Sequence, residues 1–260
     1  MIKISQTLIL LIMTVGCADQ NSNYKLDQPS RSMQLTEQLD EISGLVMLSD
    51  SLIGVVQDEN GIIYYVASES GKIVDQFEFG KDGDYEGVTF HQGDFYVLKS
   101  NGSIVQTSRD GKSVEYNFKN SKGFDFEGIC ADPKNNRLLV ACKEHGNKDK
   151  RDHIYIYSFG LENKKYYKKA AFKIKKELVH QNFKPSGIAI HPNENIYVLS
   201  SFSKTLLVLA PDGEIKSRSQ FGEFICQQPE GITFNSKGDL LISNEQKETT
   251  ANILVFKLKH

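Results

Sequence analysis

Asp84-Tyr85-Glu86-Gly87-Val88-Thr89-Phe90 joins an acidic residue and a glycine to a short apolar run that suits a strand. The same phrase returns as Ile42-Ser43-Gly44-Leu45, Phe126-Glu127-Gly128-Ile129, Pro185-Ser186-Gly187-Ile188 and Pro229-Glu230-Gly231-Ile232. Gly44 to Gly87 spans 43 residues, Gly87 to Gly128 41, Gly128 to Gly187 59, and Gly187 to Gly231 44. Periods of about 40–45 residues belong to propeller blades of four strands. The long interval holds a polar, Lys-rich insertion and needs no further blade.

Each repeat shares an interior grammar. After the glycine comes a strand, then a polar turn such as His91-Gln92-Gly93-Asp94, then a second strand such as Phe95 to Leu98. Third and fourth strands flank another turn, as at Arg109-Asp110-Gly111 and Ala210-Pro211-Asp212-Gly213. Asp-Gly marks a hairpin because glycine tolerates positive φ. No apolar 3.6-residue period competes, so the fold class is all-β: a five-bladed propeller. The last repeat ends one strand short, while Ser32 to Gln38 lies unassigned ahead of the first glycine. That segment is expected to complete the last blade and close the ring, which removes two open sheet edges.

The N-terminus reads as an export signal. Lys3 precedes an apolar run, Leu8 to Met13, too short to cross a bilayer, and Gly16-Cys17 follows. A small residue before Cys resembles the lipobox of bacterial lipoproteins. Residues 1–17 are therefore expected to be a signal ending at a lipidated Cys17, which tethers the protein to membrane at the bacterial cell envelope. The alternative is an ordinary signal peptide with an incidental Cys. Residues 18–31 are polar and expected to be a flexible tether, with the propeller over 32–260. Cys130, Cys142 and Cys226 lack metal-motif spacing and read as small buried residues, with no disulfide.

The formal charge is −2, from 31 Lys and Arg against 33 Asp and Glu, so no nucleic-acid partner is expected. A monomer is expected, with an unknown small molecule or envelope protein as partner. Asn163 to Lys176 sets Tyr166 and Tyr167 among lysines, which suggests polyanion binding at first sight. Ala170, Phe172 and Ile174 alternate with Lys169, Lys173 and Lys175, however, so this stretch reads as an outer strand.

With these phrases in view, the chain resembles the SdiA-regulated family of bacterial envelope proteins, distantly similar to NHL-type propellers. The best pieces are Asp84 to Phe90 and Phe124-Asp125-Phe126-Glu127-Gly128-Ile129. The resemblance implies a five-bladed propeller behind an N-terminal membrane signal, with a bound calcium ion but no settled activity. That calcium is carried only onto Glu86, Glu127 and Glu230.

The residues themselves argue in the same direction. The innermost strand of each blade lines the channel, and the second strand returns to the same face. Glu86, Glu127 and Glu230, with Glu144 and Glu245 from second-strand ends, are expected at one mouth, with Ser43 and Ser186 between them. Crowded carboxylates repel one another, and a hard cation such as calcium relieves them, whereas zinc favours His or Cys. The bland alternative is that these carboxylates cap turns or face a wet channel.

Asp82 to Glu86 mimics the start of an EF-hand loop, but its twelfth position is Gly93. No G-x-S-x-G or H-E-x-x-H motif is present. His91 and His191, at blade turns, are expected at the surface. His145, beside Glu144 near the same mouth, would act as a general base only in a substrate-facing pose, the lesser reading. The leading expectation is a lipid-anchored, calcium-binding ligand- or partner-binding module. A metal-assisted hydrolase of phosphate or ester substrates at the acidic mouth is the alternative.

Overall fold

The computed structural model describes residues 22–222 and 224–259. Residues 1–21 lie outside them, and with them the expected signal and Cys17. Among the described residues no helix is long and apolar enough to cross a membrane.

Five antiparallel sheets form, and each opens with its innermost strand: Ile42–Ser49, Tyr85–His91, Asp125–Asp132, Gly187–Ile190 and Pro229–Phe234. These strands touch in sequence, and Pro229–Phe234 packs back against Ile42–Ser49, so the ring is closed. The chain is a five-bladed β-propeller. Its blades are numbered 1 to 5 in the order of those strands.

Both faces of every blade are covered, which explains the nearly continuous apolar second strands. Leu138 and Val140 face the core shared with blade 2, whereas Leu139 and Ala141 face the core shared with blade 4. Period-two alternation thus feeds two cores from one strand. There are five such cores among the described residues, one per blade junction. Each fully buried Val, Leu or Ile contributes roughly 1.5–3 kcal/mol.

Closure follows the expectation. Arg31–Gln34 pairs antiparallel with Asn252–Phe256, with Arg31 opposite Val255 and Gln34 opposite Asn252, as the outermost strand of blade 5. The strand is shorter than Ser32 to Gln38, because the chain turns into a 3₁₀ segment at Glu37–Leu39.

The folded body also begins earlier than residue 32. Tyr24 and Leu26, expected in the tether, are buried between blades 4 and 5, and the Tyr24 hydroxyl donates to Gly238 O at 2.6 Å. Two isolated apolar residues in a polar run carry no period, so the sequence pattern did not flag them.

The Lys-rich insertion widens blade 3. Its outer edge has two pieces, Lys165–Tyr166 and Phe172–Lys175, both paired to His153–Gly160. Phe172 and Ile174 are buried while Lys173 and Lys175 are exposed, as the alternation predicts. Cys130, Cys142 and Cys226 are free and buried.

Candidate functional site

The repeated phrase folds as a bulge. In blade 3, Phe126 pairs with Cys142 and Gly128 with Ala141, which leaves Glu127 with no residue opposite. Ser43, Glu86 and Glu230 are skipped in the same way in blades 1, 2 and 5. Blade 4 begins its strand at Gly187, just after Ser186. An extra residue of this kind bends the strand and re-aims its side chain.

The glycine is required by close approach. A Cβ on Gly128 would lie 2.9 Å from the backbone carbon of Gly187 in the next blade. One on Gly44 would lie 2.7 Å from Gly87 Cα.

Serine and glutamate use the bulge differently. Ser43 Oγ donates to Tyr85 O at 2.6 Å and Ser186 Oγ to Pro229 O at 2.8 Å, each bridging to the next blade. The three glutamates instead face one another electrostatically. Burial, followed by Glu127, pushes Glu86 up to about 9, and a hydrogen bond with Asp84 helps to retain its proton. Burial and Glu127 push Glu230 up to about 8, opposed in part by Lys143 and by a hydrogen bond from Ser201. Glu127, which is 7 % exposed, is raised by burial to about 7 although Lys143 favours its charge. Glu245 reaches about 7 through burial, Glu41 and Asp58. Four carboxyls from three blades therefore share one field.

Lys143 stands among them. Asp125 pairs with Glu144 and Phe126 with Cys142, so Lys143 is itself skipped on the second strand. Its ammonium donates to Glu127 Oε1 and lies 3.8 Å from Asp125 Oδ2. Burial works against that charge, yet Glu127 and its neighbours hold the ammonium well above the usual lysine range.

Of the five expected glutamates, Glu144 belongs to a separate group. Its Oε2 is 2.9 Å from Arg151 Nη1, and its other oxygen accepts from Lys184 Nζ. The hydrogen bond from Lys184 holds its carboxyl below the usual range. Glu144 was expected among the glutamates of the mouth, whereas Lys143 is the residue that meets Glu127.

A cleft of about 370 Å³ opens beside the cluster, lined by Glu127, Glu230 and the lysines Lys143, Lys184, Lys204 and Lys247. Phe202 stands exposed at its edge, with Lys184 Nζ 5.5 Å from the ring centre. The cleft thus carries carboxylates and ammoniums side by side.

Two of the histidines, His145 and His191, are buried. His145 is buried between Phe124 and Tyr155, with ring centroids 4.5 and 4.7 Å away. Its Nδ1 accepts from the Asn147 amide at 3.0 Å, which leaves a packing role rather than a base at the mouth. His191, expected at the surface, is buried with its ring 4.8 Å from that of Phe234.

Oxygen-only donors with raised pKa values suit a hard cation. Among the described residues no three of His, Cys, Asp or Glu are grouped around a point where an ion could sit. As the side chains are placed, Lys143 supplies the positive charge.

The model of the SdiA-regulated family matches residues 19–247. The chain belongs to the SdiA-regulated family. No curated protein matches it. Among solved structures, Myxococcus xanthus glutaminyl cyclase is similar at 14% identity and TM-score 0.61, over 89% of this chain and 96% of that one. The WD40 propeller domain of Doa1 is similar at 12% identity and TM-score 0.54, over 91% and 97%. A streptogramin B lyase is similar at 13% identity and TM-score 0.52, over 88% and 97%. At these identities the likeness concerns the fold alone.

Proposed function

We propose that this member of the SdiA-regulated family is a binding module of the bacterial envelope, held to membrane through Cys17, whose channel mouth takes up calcium together with a ligand or partner. One observation carries the reading: Glu86, Glu127, Glu230 and Glu245 all have raised pKa values, and one ammonium stands among them. Such a group gains from added positive charge, because a bound cation replaces protons that the burial retains. Calcium would have to draw these four carboxylates together from their present positions, with Lys143 displaced from Glu127. Glu144 has no part in it, being satisfied by Lys184 and Arg151. Of the cleft lysines, Lys204 and Lys247, rather than the Glu144-bound Lys184, give an incoming anionic group its counter-charge.

Calcium titration of the full chain in detergent, followed by thermal melting and by proton release, tests this. At saturating calcium the wild type is expected to gain several degrees in Tm, with release of about one or two protons near pH 7. Glu86→Gln with Glu127→Gln is expected to abolish both signals. A wild type that melts identically with calcium and with chelator rules out the cation.

A further inference from the structure

A second cavity lies on the outer wall, in the cleft between blades 2 and 3. It measures about 690 Å³ and is walled by Tyr116 and Phe118 on one side and by Tyr157, Tyr166 and Tyr167 on the other. This size falls within the usual range of small-ligand sites. The insertion that lengthens the third repeat supplies Tyr166 and Tyr167. The Tyr166 hydroxyl is fixed to Gly102 O at 2.8 Å and its ring meets Phe118 edge-on at 4.9 Å, so that part of the wall is rigid. Tyr167 is 49% exposed and offers its ring to the cleft mouth.

The charge of the cleft is one-sided. Its single acid, Glu115, is taken by Lys99 at 2.9 Å, and Lys164 is occupied by the hydroxyl and ring of Tyr96. Lys119, on the blade 2 side, and Lys165 and Lys168, on the blade 3 side, have no carboxylate partner among the described residues. Neutral hydrogen-bonding groups are also unspent. Asn117 uses its oxygen to accept from Ser103 and keeps its amide nitrogen free, while the Tyr157 hydroxyl has no protein partner.

We propose that this cleft binds an acidic saccharide, a short sugar chain carrying carboxylates on successive rings. The flat aromatic walls match the apolar C–H face of a pyranose, and burying that face supplies affinity. Asn117 and Tyr157 meet ring hydroxyls. The lysines are spread over both lips rather than gathered at one point, which suits charges that recur along a chain better than a single phosphate. A single-stranded nucleic acid also combines stacking with negative charge, but the chain's formal charge of −2 gives no overall basic excess to draw a polyphosphate.

Calorimetry of the full chain with tetragalacturonate, cellotetraose, ADP and oligo(dT) decides among these ligands. Tetragalacturonate is expected to bind, with neutral cellotetraose at least about tenfold weaker. Tyr167→Ala, and separately Lys165→Ala with Lys168→Ala, are each expected to weaken it about tenfold or more while Tm stays within a degree or two, since these side chains are exposed. The assignment is overturned if tetragalacturonate gives no heat, if cellotetraose binds as well, if ADP or oligo(dT) binds more tightly, or if the variants bind like wild type.

Discussion

Lys143 donates to Glu127 and faces Asp125, so it favours the ionised form of a carboxyl that burial raises to about 7. Lys143→Met removes that counter-charge. At pH 8 the change is expected to cost about 1–3 kcal/mol, the penalty of an unpaired, mostly buried carboxylate. At pH 5, below the Glu127 value of about 7, the carboxyl is protonated and the cost shrinks. Urea unfolding at both pH values measures the difference, and Glu127→Gln in the same background is expected to recover most of the loss. Equal losses at the two pH values assign Lys143 a packing role instead. Glu86, Glu127 and Glu230 were legible in the sequence because they sit in one repeated phrase. Glu144 was placed at a second-strand end in the same way, but that its neighbour Lys143 would face Glu127 was not. A skipped residue moves side chains to the opposite face, and the skip exists only in the pairing of two strands.

A blade is held to its neighbour where inner strands meet at the repeated glycine. Gly128→Ala places a methyl group 2.9 Å from backbone atoms of Gly187 and Ile188, which have no rotamer to yield. Melting of this variant is expected to show a loss of about 2–3 kcal/mol, near the upper end for overpacking. Gly93→Ala is the contrast. It occupies a hairpin turn at φ +93 with nothing within 4 Å of an added Cβ, so only backbone strain of about 1 kcal/mol is expected. If the two losses match, close approach is not what the repeat glycine serves. The strands and turns of each blade could be written from Asp-Gly signals and apolar runs. Tyr24 and Leu26 could not, since a residue that plugs a distant core leaves no local pattern.

For the molecule as a whole, the mouth makes stability depend on pH. Glu86, Glu127, Glu230 and Glu245 have folded values of about 9, 7, 8 and 7, above an ordinary value of 4.5. Between 4.5 and those values the folded chain holds protons that the unfolded chain has lost, so stability falls as pH rises. His145, held below its ordinary 6.5 by burial, acts in the opposite sense, while Asp58 and Asp125, also raised by burial, add to the fall. Without calcium, Tm is expected to decline by several degrees from pH 5 to pH 9, and Glu86→Gln with Glu230→Gln is expected to flatten the slope. For a chain of this size about 1 kcal/mol corresponds to roughly 2–4 °C. A flat profile in wild type means the carboxyls do not share a buried field. The five-fold ring was legible from spacing alone, and so was its seam. That seam, Arg31–Gln34 against Asn252–Phe256, also sets a timetable for biosynthesis. A polypeptide emerging from the ribosome makes its first strand more than 200 residues before the partner strand exists. Blades 1 to 4 can condense during synthesis, but the circle is completed only when the last hairpin arrives, and until then the first strand must stay unpaired.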